Sequence, residues 1–553
     1  MAGSAGKNFL AFQGQGYKDL GGDWLSEGMV LLDAKNLKKI NKIRGDREDL
    51  VVIVGNKLFC IVLVFLCLLM LIVKRIRSIQ SIQLPPGPLH FPIISDILWL
   101  RKPFPKLKPI IRNLHAKHGP IISFHFWSNP HVSISDRFLA HEALIQNGAI
   151  FADRPKTLAL NKSLNIASSC YGPTWRVLRN NLTTTMLHPS RFSSFSNTRK
   201  CVMEALVKQL KSEAASNYSI KLINHIHHAI FCLLVFMCFG EKVDNEKIEV
   251  IKHVQRLWII SSGKFGVLNY FPKAISQMLF RKRWNEYLNL QKDQKDIFIE
   301  LIRAREKENN ENGIDDESFI CYVDTLLNIQ LPEEKRKLDD NELAALCSEF
   351  LTAGTDTTSS ALEWIMANLV KYGHVQQRIV EEIGEVIGDR EERDVKEEDL
   401  EKLPYLKAVI LEGLRRHPPS HYLIPHAVTE DVIFNGYLVP KNGTVNFMVA
   451  EVGWDPTAWE DPMAFKPERF EESSSGFDVT SQTEIKMMPF GAGRRICPAY
   501  NLAMLHLEYF VANLVWNFEW KTLSPESNVD LSEKQEFTMV MKHPLEAQIS
   551  PTN

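Results

Sequence analysis

Between Leu58 and Val73 the chain reads LFCIVLVFLCLLMLIV, sixteen residues without a charge. As a helix this run rises about 24 Å, at about 1.5 Å per residue, against a bilayer hydrocarbon core about 30 Å thick. Leu50 to Val54 (LVVIV) supplies the missing turns and leaves Gly55, Asn56 and Lys57 near one interface, where Lys57 can snorkel. A core helix shows a polar face and this run has none. A cleaved signal is followed by small residues, and here Lys74-Arg75-Ile76-Arg77 follows. The segment therefore reads as a single retained membrane anchor, the only stretch apolar enough to span.

The anchor divides the chain. Residues 1–50 are Gly-rich, mixed in charge and without sustained periodicity, and read as a flexible extension. Residues 51–73 form the anchor. Residues 74–88 are a basic and Pro-rich linker, because Leu84-Pro85-Pro86-Gly87-Pro88 cannot continue a helix. With no internal repeat and no second linker, residues 89–553 read as one large domain.

Orientation gives two conflicting indications. Lys38, Lys39, Lys42, Arg44, Arg47 and Lys57 precede the span, and Lys74, Arg75 and Arg77 follow it, so the positive-inside rule places the N-terminus in the cytosol. The nine cysteines are odd in number and form no CxxC pair, which excludes a disulfide scaffold or zinc ribbon and suits a body that faces a reducing compartment.

The charges almost cancel, 65 Lys+Arg against 66 Asp+Glu, so no whole-protein field draws in nucleic acid and no nucleic-acid partner is expected. A 45% hydrophobic share excludes a disordered chain. Helical periodicity predicts helices over 196–212, 219–240, 340–372, 373–387 and 500–517. Strands are few. Ile121 to Phe126 with His131 to Ile134 reads as a hairpin, and Asn435-Gly436 sits between two apolar runs as a hairpin turn. Asn442-Gly443 repeats that signal before Val445 to Val449. Charged segments 304–317 and 388–399 read as loops. The fold class is mainly α with a small β portion, helices and strands kept apart.

The chemistry concentrates in Met488 to Tyr500, MPFGAGRRICPAY. Cys497 follows a glycine-rich turn and precedes an apolar helix. A thiol there faces unpaired N–H groups and the positive end of the helix dipole, which favour the thiolate, the form that binds metal. Gly493 can take backbone angles closed to other residues and lets the loop approach a flat ligand. Arg495 is placed to meet a carboxylate.

The run Phe490-Gly491-Ala492-Gly493-Arg494-Arg495-Ile496-Cys497 resembles the haem-binding loop of cytochrome P-450 enzymes, in which the cysteine thiolate ligates haem iron. The family pattern has glycine two places after the cysteine, where this chain has Ala499. Further signatures follow in the family's order. Glu412-Gly413-Leu414-Arg415 matches ExxR, Pro467-Glu468-Arg469-Phe470 matches PERF, and the resemblance implies a structural Glu412–Arg415–Arg469 network beneath the haem loop. Ala353-Gly354-Thr355-Asp356-Thr357-Thr358 matches the oxygen-activating segment. There Gly354 would give room for dioxygen and a local break in backbone bonding, and Asp356 and Thr357 would relay protons. Trp175-Arg176-Val177-Leu178-Arg179 matches WxxxR, so Trp175 and Arg179 would reach one haem propionate. Pro425-His426 falls where many relatives carry an arginine for the other, so His426 would donate there. His225, His227 and His228 read as surface or packing residues.

By this resemblance, which covers about residues 84–545, the chain is a cytochrome P-450 fold behind one transmembrane helix. LEGLRRHPP, PHAVTEDV, MAFKPERF and FGAGRRICP are similar to plant microsomal enzymes, nearest family 89, subfamily A. The implied activity is a haem-thiolate monooxygenase with haem b, O2 and a small apolar substrate, its body on the cytosolic face of the endoplasmic reticulum membrane in contact with lipid. The chain carries no GxGxxG after a strand and no Walker loop, so electrons from NADPH come through a partner, NADPH–cytochrome P-450 reductase. The alternatives are a reductase-independent haem-thiolate isomerase or dehydratase, and a non-catalytic membrane haem-binding protein. Relatives generally begin at the anchor, so residues 1–50 read as an upstream start or a gene-model error. Without them the cluster Lys74–Arg77 is the cytosolic flank.

Overall fold

The structure, a computed structural model, describes residues 84–88, 107–126, 129–156, 164–216, 219–240, 243–270, 272–312, 320–390, 394–471, 477–524, 526 and 528–552. All fall in the compact unit Ile82–Asn553. The anchor and the extension lie outside the described residues.

The helices come in chain order as α1 (Leu107–His118), α2 (Arg137–His141), α3 (Pro173–Asn181), α4 (Ser196–Ser216) and α5 (Leu222–Phe239). Then follow α6 (Asn245–Phe265), α7 (Lys273–Leu279), α8 (Arg281–Asn312), α9 (Tyr322–Leu326) and α10 (Asp340–Lys371). The series ends with α11 (Gly373–Ile387), α12 (Pro404–Arg416), α13 (Val449–Gly453) and α14 (Tyr500–Asn517).

Helix α10 is the axis of the molecule. It starts on a capping box, with the Asp339 carboxylate accepting from Asn341 N and Glu342 N and Glu342 reaching back to Asp339 N. From Leu343 to Val370 most of its side chains are buried in the main core. Gly354 lets α5 approach closely, for a Cβ there would sit 2.7 Å from Leu234 Cδ1. Gly413 does the same on the α12 side, 2.5 Å from Ile365 Cγ1. The C-terminal chain is tied to α10 by Trp364 Nε1 donating to Met539 O (2.7 Å) and Leu545 N donating to Glu363 Oε1 (3.0 Å).

Among the described residues the strands make four small sheets. Strands β1 (Ile121–Phe126), β2 (Asn129–Ile134), β4 (His426–Ala427) and β7 (Thr444–Phe447) form one in the order β1-β2-β7-β4, with β2 and β7 parallel. Strands β3 (Ile220–Lys221), β8 (Phe518–Lys521) and β11 (Glu546–Pro551) form a second in the order β3-β11-β8. Strands β5 (Val432–Phe434) and β6 (Tyr437–Val439) pair through Asn435-Gly436, both at positive φ (48° and 77°), the conformation such a turn demands. Strands β9 (Glu533–Gln535) and β10 (Met539–Met541) make a two-stranded ribbon.

Five expectations are corrected. Ile220 and Lys221 pair with β11 rather than opening a helix at 219. Asn442-Gly443 closes no hairpin. β6 stays with β5 while β7 joins β2 and β4, so the turn hands the chain from one sheet to another, and Val449 already belongs to α13. Residues 304–312 are helix, not loop, because Arg305–Glu308 (2.9 Å) and Lys307–Glu311 (3.7 Å) place opposite charges a turn apart on a surface helix. Within 388–399, residues 397–399 open a 3-10 helix, Glu397–Lys402. Finally, α5 is itself long and apolar enough to cross a membrane, so the anchor is not alone in that; but α5 is mostly buried against α10.

Candidate active site

The residues Phe490 to Cys497 fold back on themselves. Cys497 N donates to Phe490 O (2.8 Å), Gly491 N to Met488 O (3.0 Å) and Ile496 N to Gly493 O (3.1 Å). Gly491 and Gly493 have φ of 72° and 68°, and a Cβ on Gly493 would lie 2.0 Å from Leu144 O. Only glycine fits at 493, for both reasons. What the loop approaches at that point is the Leu144 backbone. Ala499 has an ordinary φ of −101°, so glycine is not required there.

The thiol of Cys497 behaves differently from the sequence expectation. Burial is the larger influence and raises its pKa, while the Ala499 N–H and the Arg179 guanidinium pull the other way. A helix terminus three residues on does not offset removal from water. Coordination to a metal would deprotonate the sulfur outright.

Beside this loop three guanidinium groups converge. Arg179 Nη2 donates to Ile496 O (2.5 Å). Arg495 donates from Nε to Ala152 O (2.8 Å) and from Nη2 to Ser169 O (2.7 Å). Arg154, which sequence reasoning missed, donates from Nε to Ala167 O (2.7 Å) and from Nη1 to Ile424 O (2.7 Å). Burial and mutual repulsion push Arg154 down to about 9 and Arg495 to about 10. Two carboxylates oppose them, and both are spent on backbone: Asp153 on Tyr171 N, Glu349 on Ile166 N and Ala167 N. Such a cluster favours a dianionic ligand, which would replace repulsion with charge-assisted bonds.

Trp175 is buried, its Nε1 donating to Ile166 O (3.0 Å), with the Arg495 guanidinium 4.3 Å from its ring centroid. His426 is buried on β4, its Nδ1 on Phe151 O (2.7 Å), and burial followed by the nearby Arg154 charge brings its pKa to about 3. It is a neutral imidazole at any physiological pH. The haem propionates thus fit the charge of this cluster, and a thiol in a closed loop beside it fits the iron. The donor set suits haem.

Helix α10 runs unbroken through 353–358, against the expected interruption. Thr357 Oγ1 donates to Ala353 O (2.6 Å), which is where the helix departs from plain bonding. Gly354 faces Leu234 of α5, so its missing side chain serves helix packing rather than room for dioxygen. On a helix buried almost all round, Ala353 is exposed and Glu349 and Thr357 are half-buried. An accessible stripe on a helix this deep in the core is where a ligand cavity would open. Asp356 turns away from it, its Oδ1 lying 3.7 Å from His227 Nε2 and 3.9 Å from an Arg256 nitrogen. His225 pairs with Glu213 (2.8 Å) and His228 with Glu249 (3.3 Å), as packing and surface groups.

The structure brings Glu412, Arg415 and Arg469 together. Arg415 is bidentate on Glu412 (2.6 and 2.8 Å), and Arg469 Nε stands 3.4 Å from Glu412 Oε1. The Arg415 guanidinium lies 5.3 Å from the centre of the Trp459 ring, whose Nε1 donates to Lys486 O (3.0 Å), just before the cysteine loop.

A family model described as Cytochrome P450 matches residues 85–551. Cytochrome P450 89A9 of Arabidopsis thaliana is 49% identical over 496 residues, covering 86% of this chain and 96% of that protein. Costunolide synthase of Cichorium intybus is 31% identical, covering 84% of this chain and 92% of its own length. 5-epiaristolochene 1,3-dihydroxylase of Nicotiana tabacum is 30% identical, covering 89% and 98%. A solved zebra fish cytochrome P450, bound to abiraterone, superposes with a TM-score of 0.64 at 23% identity, over 80% of this chain and 99% of that one, and so shares the fold.

Proposed function

The chain belongs to the cytochrome P-450 family and is a haem-thiolate monooxygenase, and from that premise we propose that it oxygenates a small apolar molecule with electrons that NADPH supplies through NADPH–cytochrome P-450 reductase. The observation that carries the site assignment is the cysteine loop beside three guanidinium groups, that of Arg154 buried and those of Arg179 and Arg495 half-buried, whose neighbouring carboxylates are already engaged. Bound haem supplies the oxygen-activating iron, one atom of O2 entering the substrate and the other leaving as water.

The protein's own residues hold, orient and exclude water. Cys497 would ligate the iron through its sulfur. Arg179, Arg495 and Arg154 would neutralise the propionates, with Trp175 fixing the Arg495 plane and His426 contributing a neutral ring beside them. Phe490 would close the loop through its carbonyl on Cys497 N, and Gly493 would hold the loop's bend. Thr357 presents a hydroxyl at the cavity stripe and Asp356 a carboxylate toward His227 and Arg256, so protons would pass along α10 from the α5–α6 side. Glu412, Arg415 and Arg469 would act structurally beneath the loop.

The same reading places the chain on the cytosolic face of the endoplasmic reticulum, held by one pass over 51–73 behind the 74–88 linker, with 89–553 as the catalytic domain. Exposed Ile275, Met278 and Leu279 on α7, together with Ile260 on α6, support contact with lipid. A reduced-CO difference spectrum tests the site: a thiolate-type Soret band that Cys497→Ser abolishes supports it, and its absence from haem-supplied protein refutes it. Incubation of microsomes carrying the protein and reductase with a plant metabolite extract, with and without NADPH, tests the rest. Oxygenated products that form without NADPH would favour a reductase-independent reaction.

A further inference from the structure

The turn Leu164–Cys170 belongs to no helix or strand, yet its backbone is held on both sides. Its carbonyls are taken by the arginine cluster: Ile166 O by Trp175 Nε1 and Arg495, Ala167 O by Arg154, Ser169 O by Arg495. Its own side chains cap two amides, Ser169 Oγ on Asn165 N (3.3 Å) and Asn165 Oδ1 on Ser168 N (2.7 Å). The two amides between them point at a single carboxylate. Glu349 accepts from Ile166 N through Oε2 and from Ala167 N through Oε1, both at 2.7 Å. Both lengths are at the short end of the ordinary N–H···O range.

Glu349 belongs to α10, on the accessible stripe that continues at four-residue spacing through Ala353 and Thr357. It therefore joins the cavity-facing side of that helix to the turn that the arginines grip from the other side. We propose that Glu349 is a positioning residue for substrate, its carboxylate latching the 164–170 turn onto α10 so that this turn forms a fixed wall of the cavity over Ala353 and Thr357. The proposal rests on the monooxygenase reading for the meaning of the cavity, and on geometry alone for the latch. Burial raises the pKa of the carboxyl, while the two N–H groups and the Arg154 charge favour the anion. Engaged in this way, the carboxylate presents little free charge to the cavity, which suits a neutral ligand.

Hydrogen exchange, resolved to single amides, tests the latch in the full-length holoenzyme. In the wild type the Ile166 and Ala167 amides should exchange at least tenfold more slowly than the same amides would in an unstructured chain. Glu349→Gln keeps one acceptor oxygen and turns an NH2 toward an N–H, and Glu349→Asp shortens the reach by one methylene. Both should speed exchange at 166 and 167 about tenfold while amides in α14 stay as they were. The affinity for 4-phenylimidazole, read from its Soret shift, should change at least threefold, and KM for an identified substrate should move more than kcat. Equal exchange rates in wild type and both variants overturn the proposal, and so does fast exchange of the two amides in the wild type. A missing thiolate-type CO spectrum in the wild type would instead defeat the monooxygenase reading, and the exchange result would still decide the latch.

Discussion

Arg415 grips Glu412 with two nitrogens, Nε to Oε2 at 2.6 Å and Nη2 to Oε1 at 2.8 Å, and neither side chain reaches solvent. A surface pair of this spacing is worth about 0–1 kcal/mol. This one is saturated: Arg415 Nη1 also donates to Gly453 O and Pro462 O (2.8 Å each), and Lys466 N donates to Glu412 Oε1 (2.8 Å). Removing the acid strands a buried cation and a backbone N–H.

Glu412→Ala is therefore expected to cost about 3–5 kcal/mol, the usual penalty for breaking a buried pair from one side. Because Arg415 packs on Trp459, and Trp459 holds Lys486 O, the loss should reach the cysteine loop. The check is a lower denaturation midpoint together with a lower haem-to-protein absorbance ratio. A lower midpoint with full haem content would show that the network stabilises the domain without supporting the loop.

Gly354 offers a sharper test of what α10 needs. A Cβ there meets Leu234 Cδ1 at 2.7 Å, so Gly354→Ala overpacks the α5–α10 contact and should cost about 1–3 kcal/mol. In a Leu234→Ala background the added methyl has space, and the penalty should shrink or reverse. Additive costs in the double-mutant cycle would mean that the glycine serves the cavity instead.

How much of this was legible in the sequence depends on where each residue's partner lies. Helices α11 and α14 match their expected bounds, and α10 is within one residue at its end, because a buried helical face writes its own period. Asn435-Gly436 announced its hairpin for the same local reason, a turn with positive φ at both positions. Asn442-Gly443 carries the identical pair, and its Asn442 is also left-handed, yet pairing of β7 with β2, more than 300 residues earlier, decides its use. Motif residues such as Glu412 and Cys497 are legible through their resemblance to family motifs that stand in the family's order. Arg154 and Glu349 are not, since each acts through backbone groups of remote turns that no periodicity records. The side that Gly354 faces was misread because a helical glycine does not say which neighbour it admits.

The cysteine loop separates two kinds of small residue. Gly493→Ala places a Cβ 2.0 Å from Leu144 O at φ 68°, a backbone state costing about 1–2 kcal/mol before the clash. It is expected to abolish stable haem retention, measured by Soret absorbance after gel filtration. Ala499→Gly, at φ −101°, should shift stability by less than about 1 kcal/mol and leave the spectrum unchanged. A strong effect at 499 would mean that the methyl group there makes a contact on which the loop depends.

Burial of Glu363 on α10 makes stability fall with rising pH in a defined window. Its carboxyl is raised to about 7 by desolvation, against the smaller pull of Leu545 N and Lys221, while in the unfolded chain it titrates near 4.5. Between those values the folded state holds a proton that the unfolded state has lost, so unfolding becomes easier as pH rises from 4.5 to 7. Above pH 7 the accumulated loss is on the order of 3 kcal/mol. Glu363→Gln keeps an oxygen for Leu545 N and removes the titration. The variant should match the wild type near pH 4.5 and exceed it progressively up to pH 8, seen as a widening gap between thermal midpoints. Glu508, raised to about 7 by burial, imposes the same trend on both proteins, and Glu533, held well below the usual range by His417 and His421, acts only in stronger acid, so neither disturbs the difference. A gap that stays constant with pH would show that Glu363 is ionised in the folded protein and that the Leu545 N–H carries its charge.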